Sequence, residues 1–240
     1  MTKGLIVITG ASAGIGKETA KLFSKKGYPL LLLARRNEIL KNLNLANCIT
    51  KKVDISYLDF FKSALEEAES KFGTVECIIN NAGVMLLGNV SEQSPKEWQT
   101  MIDVNVQGLL NGIHLVLKKM IQKQSGTIIN ISSIAGRKTF PSHAVYCATK
   151  YAVHGLTEAI REEVANQNVR AITIAPGAVE TDLLSHTTSD KLKSDYEQWK
   201  KNIGGALKPE DIAKTIMFAY EQPQHICIRE IVIAATKQET

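Results

Sequence analysis

Tyr146 and Lys150 lie four residues apart in Tyr146-Cys147-Ala148-Thr149-Lys150, and Ser133 lies thirteen residues before the tyrosine, in Ile131-Ser132-Ser133. On a helix, positions i and i+4 share a face, so the phenol and the ammonium would point the same way, one turn apart. A free tyrosine titrates near about 10. A neighbouring cation stabilises the phenolate and brings the group closer to a useful acid or base. A serine hydroxyl delivered from a second element can then hold a substrate oxygen. The same spacing also describes an ordinary helix face, so its meaning depends on the elements around it.

Those elements alternate. Seven short β-rich apolar runs are spread through the chain: 5–9, 30–34, 50–53, 75–80, 127–131, 171–175 and 226–233. Amphipathic stretches fall between them, at 15–26, 37–43, 58–72, 95–122, 143–166 and 209–221. Repeated β-α units call for a parallel sheet covered by helices on both faces, within one α/β domain spanning 1–240. One interval breaks the rhythm. Residues 177–208 carry no strand pattern, follow Pro176, and include a polar helical stretch at 189–201. A connection this long is commonly functional. It leaves the carboxyl end of the sixth run, where ligands bind in open α/β sheets, so it is expected to form a substrate lid.

The first run enters Thr9-Gly10-Ala11-Ser12-Ala13-Gly14-Ile15-Gly16 and then a helix. Glycines let the backbone turn tightly and approach a pyrophosphate, while the helix amino terminus offers free N–H groups and partial positive charge. The spacing is Gly-x-x-x-Gly-x-Gly rather than the common Gly-x-Gly-x-x-Gly. The second run ends at Ala34-Arg35-Arg36, where NAD-selective proteins place an acid for the ribose 2′-hydroxyl. Two guanidiniums there offer charge-assisted hydrogen bonds to a 2′-phosphate instead, which predicts NADP(H) over NAD(H).

Composition narrows the partners. The 240 residues have an ordinary apolar fraction and a formal charge of +5 spread along the chain, so no nucleic-acid surface is implied. The four cysteines form no Cys-x-x-Cys pair, the histidines show no zinc spacing, and a reduced cytoplasmic setting is expected. The apolar stretch near the amino terminus is too short for a signal-peptide core, and no run is long enough to cross a membrane.

With Asn80-Asn81-Ala82-Gly83 and Asn105 added in order between the glycine turn and Ser133, the chain resembles the single-domain short-chain dehydrogenases/reductases over nearly its whole length. The resemblance implies a seven-stranded doubly wound Rossmann sheet, and the unusual glycine spacing is that family's form. It implies that Tyr146 is the acid in carbonyl reduction and the base in alcohol oxidation. Lys150 would lower the tyrosine's pKa and bind the nicotinamide ribose, Ser133 would orient the substrate oxygen, and Asn105 would support a water-mediated proton relay. For the cofactor it implies Gly10, Ser12, Gly14, Ile15 and Gly16 at the pyrophosphate, Asp54 and Ile55 at adenine, and Asn81, Ala82 and Gly83 along the adenosine ribose. Pro176, Gly177, Val179 and Thr181 would cradle the nicotinamide, with Tyr146 and Lys150 also in contact with it. Some NADP-using members carry a basic residue within the glycine turn. This chain has Ala13 there, which leaves selectivity to Arg35 and Arg36.

The carboxyl-terminal segment and Pro176-Gly177-Ala178-Val179-Glu180-Thr181 look like the branch acting on 3-hydroxy acids, serine-like alcohols and assorted carbonyls. Lys191, Lys193, Lys200 and Lys201 read as a solvated helix face, with contact to a substrate carboxylate as the alternative. His143 and Cys147 read as packing residues. Leu109, Leu110, Ile113, Val116, Leu117 and Met120 exceed what one face of a surface helix needs, consistent with the family's habit of forming homodimers or homotetramers. A β-ketoacyl-carrier-protein reductase and a noncatalytic NADP(H)-responsive regulator stand as alternatives to a general carbonyl reductase or alcohol dehydrogenase.

Overall fold

A computed structural model describes residues 3–239. Seven parallel strands form one sheet in the order β3-β2-β1-β4-β5-β6-β7. They are β1 Leu5–Thr9, β2 Leu30–Ala34, β3 Cys48–Lys52, β4 Val75–Asn80, β5 Gly126–Ile131, β6 Val169–Pro176 and β7 Glu230–Ile233. The chain runs outward from β1 to β3, then crosses back to place β4 on the other side of β1. This reversal opens a crevice at the carboxyl ends of β1 and β4, where an open α/β sheet binds its ligands.

Alternation along the strands builds two cores. Leu5, Val7, Leu31, Leu33, Ile78 and Ile128 face one layer, against α3 (Leu58–Phe72), α5 (Gly108–Lys123) and α6 (Ala144–Val164). Ile6, Ile8, Leu30, Leu32, Ile79 and Ile129 face the other, against α1 (Gly14–Lys25) and α8 (Pro209–Tyr220). The expected fold class is therefore the one observed. Burial of both faces explains why these strands are nearly continuous apolar runs.

Several boundaries differ from expectation, each for a local reason. The third strand starts at Cys48 and ends at Lys52 because Cys48 through Lys52 pair in register with Leu30 through Ala34. The seventh begins only at Glu230. Upstream of it, the Arg170 guanidinium takes the carbonyls of Tyr220, Gln222 and Ile226, and the Ile226 N–H donates to Pro223 at 2.8 Å. Of the expected run, Ile226 is thus turned away from the sheet. The stretch expected as one helix at 95–122 is α4 (Pro95–Ile102) and α5 joined by a π-helical turn at Asp103–Gln107. Such turns recur at functional sites, and this one contains Asn105.

The excursion after β6 folds into a short 3₁₀ turn at Asp182–His186 followed by α7 (Asp190–Asn202), and α2 (Asn37–Lys41) follows β2. The buried Thr187 hydroxyl accepts from the Leu87 N–H at 3.2 Å and donates to the Met85 carbonyl at 3.3 Å. That pair ties the excursion to the segment after β4. In α5, Leu109, Ile113, Val116 and Met120 are core residues, whereas Leu110 and Leu117 are only half-buried. No helix among the described residues is long and apolar enough to cross a membrane.

Candidate active site

A cavity of about 720 Å³ occupies the crevice at the carboxyl ends of the strands. Its wall includes Gly10, Ser12, Gly14, Ile15, Arg35, Arg36, Asp54, Ile55, Asn81, Ala82 and Gly83 at one end. Ser133, Tyr146, Lys150, Pro176, Gly177, Val179 and Thr181 also line it. Of the catalytic and cofactor residues expected from the sequence, Gly16 and Asn105 are not on this wall.

Side-chain hydrogen bonds build the glycine turn. The buried Thr9 hydroxyl accepts from the N–H groups of Asn81 and Ala82, both at 3.0 Å. Asn81 Nδ2 returns a bond to the Thr9 carbonyl at 2.9 Å, so the ends of β1 and β4 are clamped together. Gly10 and Gly14 have φ of +65° and +49°, a region side chains rarely adopt. A Cβ on Gly14 would also lie 2.8 Å from the Thr181 methyl. No side chain caps α1 at Ala13, which leaves its first N–H groups available to a phosphate. Gly14→Val is accordingly expected to weaken NADPH binding by roughly 10-fold or more, the consequence of a strained backbone worth ~1–3 kcal/mol. A fluorescence titration checks this, and an unchanged dissociation constant would remove the turn from the cofactor site.

Arg35 and Arg36 follow β2 and are exposed. Among the described residues neither has an acidic partner within ion-pair distance. His186, from the 3₁₀ turn, lies within their field: burial and then the two guanidiniums hold its pKa below the usual imidazole range. Asp54 accepts the Ser56 N–H and hydroxyl at 3.1 and 2.7 Å, and the Ile55 side chain fills the space left by Gly108. Nearer the other end, Gln238 Oε1 accepts the Ala178 N–H at 3.0 Å and fixes the segment after β6.

The chemistry-bearing groups converge from three elements. Ser133 caps the turn after β5, its hydroxyl accepting from the Ala135 N–H at 3.1 Å. Tyr146 and Lys150 lie one turn apart on α6, both buried. Asn105, swung inward by the π turn, accepts the Val84 N–H at 2.8 Å and donates to the Val84 carbonyl and the Thr149 hydroxyl at 2.9 and 3.1 Å. It thereby joins the segment after β4 to α6. The Ser132 hydroxyl is engaged by α6. It is 3.1 Å from the Lys150 carbonyl and 2.9 Å from His154 Nδ1, and His154 Nε2 meets Glu230 at 3.0 Å. Arg137 pairs with the same carboxylate and holds its pKa below the usual range.

The Tyr146 phenol is raised above its ordinary value, whereas the resemblance implies lowering by Lys150. Burial is the main cause, followed by Tyr196, while the Ser133 hydroxyl opposes the shift. Lys150 donates to the Ile131 carbonyl at 2.9 Å, and its ammonium is 5.8 Å from the centre of the tyrosine ring. Burial lowers its own pKa to about 8. Both side chains are thus pushed toward their neutral forms.

The sign of the linkage follows. A folded pKa near about 8 against an unfolded value near about 10.4 means the unfolded chain binds more protons between those values, so stability should rise with pH there. Lys150 should cost at most about 3 kcal/mol below that window. Urea unfolding at about pH 7 and about pH 9.5 is expected to show wild type gaining stability relative to Lys150→Met as pH rises. A constant difference would mean the ammonium is not penalised by burial.

Several wall residues escaped the sequence reading. Tyr196 and Trp199 project from α7 beside Leu192, and Leu183 and Leu184 come from the 3₁₀ turn. The spacing of 192, 196 and 199 is a helical apolar stripe that was legible in principle. Gln238, whose side-chain partner Ala178 is distant in sequence, left no such signal. Lys200 departs from the expected solvated face: it is buried and pairs with Glu197 at 2.8 Å and Glu180 at 3.4 Å. Cys147 is buried as a packing residue, whereas half-buried His143 lines the cavity.

Comparison with known proteins places this geometry. An uncharacterized oxidoreductase of Staphylococcus saprophyticus is 40% identical over 240 residues, covering 98% of this chain and 96% of the relative. The closed form of a serine dehydrogenase complexed with NADP+ superposes with a TM-score of 0.91 at 28% identity, covering 98% of this chain and 96% of that one. A 3-ketoacyl-(acyl-carrier-protein) reductase from Brucella melitensis, complexed with NADH, gives 0.86 at 27% identity, with 97% of each chain covered. Residues 4–192 match the family described as short chain dehydrogenase. With the family match spanning the glycine turn, Ser133, Tyr146 and Lys150, the chain belongs to the short-chain dehydrogenase family of oxidoreductases.

Proposed function

We propose that the protein is an NADP(H)-dependent oxidoreductase that interconverts a carbonyl and a primary or secondary alcohol. The observation that carries this reading is one continuous cavity with two arginines at one end and Ser133, Tyr146 and Lys150 at the other. The glycine turn and the uncapped start of α1 suit a pyrophosphate, and Arg35 and Arg36 suit a 2′-phosphate. The NADP+-bound serine dehydrogenase supports the same cofactor.

The bound nicotinamide supplies hydride exchange with the carbonyl carbon. The protein supplies position and the proton. Ser133 and Tyr146 hydroxyls donate to the substrate oxygen, and Tyr146 gives up its proton as negative charge develops there. A phenol is protonated near neutral pH, as that role requires. Lys150, with a pKa of about 8, can return a proton near neutral pH. Asn105 positions the 84 segment and Thr149 through its hydrogen bonds, which suits it to support the relay through Lys150. The 177–208 excursion, tied across the cavity by Thr187, acts as the substrate lid. A homodimer or homotetramer in the cytoplasm completes the reading, in keeping with the family.

The likeness to a ketoacyl-carrier-protein reductase favours a second substrate, an acyl chain delivered on a carrier protein. A screen of free aldehydes, ketones, hydroxy acids and ketoacyl carriers, followed by NADPH absorbance, separates the two. Turnover of free carbonyls is the expected outcome. Turnover confined to the carrier-bound substrate selects the second reading, and NADPH binding without any turnover would identify a noncatalytic regulator.

A further inference from the structure

The lid carries an unused cation, and its surroundings decide what kind of molecule the site accepts. Among the described residues, the Lys and Arg side chains on the cavity wall are Arg35, Arg36, Lys150 and Lys200. The first two lie at the adenosine end of the proposed cofactor site, and Lys150 belongs to the chemistry. Lys200 is held between Glu197 at 2.8 Å and Glu180 at 3.4 Å, so its charge is already matched by two carboxylates. Asp195 adds another carboxylate to the same wall. The negative field reaches the aromatic lining: burial, then Glu197 and Glu180, push the Tyr196 phenol up to about 12.

The rest of this end is aromatic and aliphatic. The His143 ring is 5.7 Å from Phe140, 6.4 Å from Tyr146 and 6.4 Å from Tyr196, and Tyr196 is 5.2 Å from Trp199. These separations are those of favourable aromatic pairs. Burial holds the His143 pKa below its usual value, and its Nδ1 lies 2.7 Å from the Pro141 carbonyl. Nδ1 must therefore be the donor, which leaves a lone pair and no charge on Nε2 in the neutral ring. Leu183, Leu184 and Leu192 pack against the cluster containing Tyr146.

We propose that the substrate is an uncharged aldehyde or ketone with an apolar body, aromatic rings included, and that carboxylate-bearing hydroxy acids and oxo acids are poor substrates. This rests on the reaction and cofactor proposed above and adds the substrate class. A carboxylate entering beside His143 and Tyr196 would lose water and find a lysine already neutralised by two acids. An apolar group would replace water against rings and leucines.

A matched pair isolates the charge. Methyl 4-formylbenzoate and 4-formylbenzoate share the same reacting aldehyde and ring, and differ in one anionic group. With NADPH, the ester is expected to show a kcat/KM roughly 10-fold or more above the free acid, as like-charge opposition predicts. Calorimetry with NADP+ present should give the same order for the corresponding benzylic alcohols. In the double variant Glu180→Gln, Glu197→Gln, Lys200 is released, and the preference should shrink to roughly 3-fold or less. A free acid used as well as the ester overturns the proposal, and an undiminished preference in the double variant overturns its electrostatic cause. If neither aldehyde is reduced while other carbonyls consume NADPH, the substrate class alone falls. If no carbonyl does, the proposed reaction falls with it.

Discussion

Replacing Tyr146 with Phe is expected to lower kcat by roughly 10²–10⁴-fold, the usual contribution of a positioned proton donor. The substitution removes a single hydroxyl from a buried ring and leaves the ring's contacts with the cluster around Val84, Met85 and Cys147. Packing is therefore retained. NADPH affinity should change little, because the arginines and the glycine turn lie elsewhere on the wall. Steady-state kinetics with a cofactor titration on the same preparation checks both halves. A variant that binds NADPH normally and retains wild-type kcat would transfer the proton-donor role to another group.

The double substitution Arg35→Ala, Arg36→Ala should act on the cofactor instead. Each charge-assisted hydrogen bond to a 2′-phosphate is worth ~1.5–3 kcal/mol, so losing both should raise the KM for NADPH by about 100-fold or more. The KM for NADH, which lacks that phosphate, should stay near its original value. Both arginines are exposed and without an acidic partner among the described residues, so little structural cost is expected. Equal losses with both cofactors would place the 2′-phosphate elsewhere, and comparable wild-type efficiency with NADH and NADPH would remove the selectivity itself.

The strands most legible in the sequence were those buried on both faces. Leu5–Thr9, Leu30–Ala34 and Val75–Asn80 are apolar runs bounded by turn residues, and their limits coincide with the observed strands. Legibility fell where distant partners decide. The seventh strand pairs with β6 only from Glu230, and the Ile226 carbonyl meets the Arg170 guanidinium instead, a contact no local pattern announces. The π turn shifts which face its residues occupy, and nothing in the local pattern announces it, so Asn105 was readable as a polar residue in a helix but its inward swing was not. Tyr146, Lys150 and Ser133 were legible as a constellation because their separations are short and fixed. Their electrostatics were not, since burial dominates both pKa shifts and burial is a property of the assembled sheet, lid and helix. Lys200 makes the same point: its pair with Glu197 is local to α7, but its second partner, Glu180, comes from the segment after β6 and its burial belongs to the assembled fold.

Isotope transfer tests the central claim most directly. Each epimer of 4-deuterated NADPH would be incubated with the protein and methyl 4-formylbenzoate or any carbonyl the screen identifies, and the product alcohol analysed by mass spectrometry. One epimer is expected to place deuterium on the carbinol carbon with the wild-type protein, and Tyr146→Phe should show little labelled product while still binding the cofactor. Alcohol formed without label from either epimer, or no alcohol from any carbonyl despite tight NADPH binding, would contradict direct hydride transfer at this site.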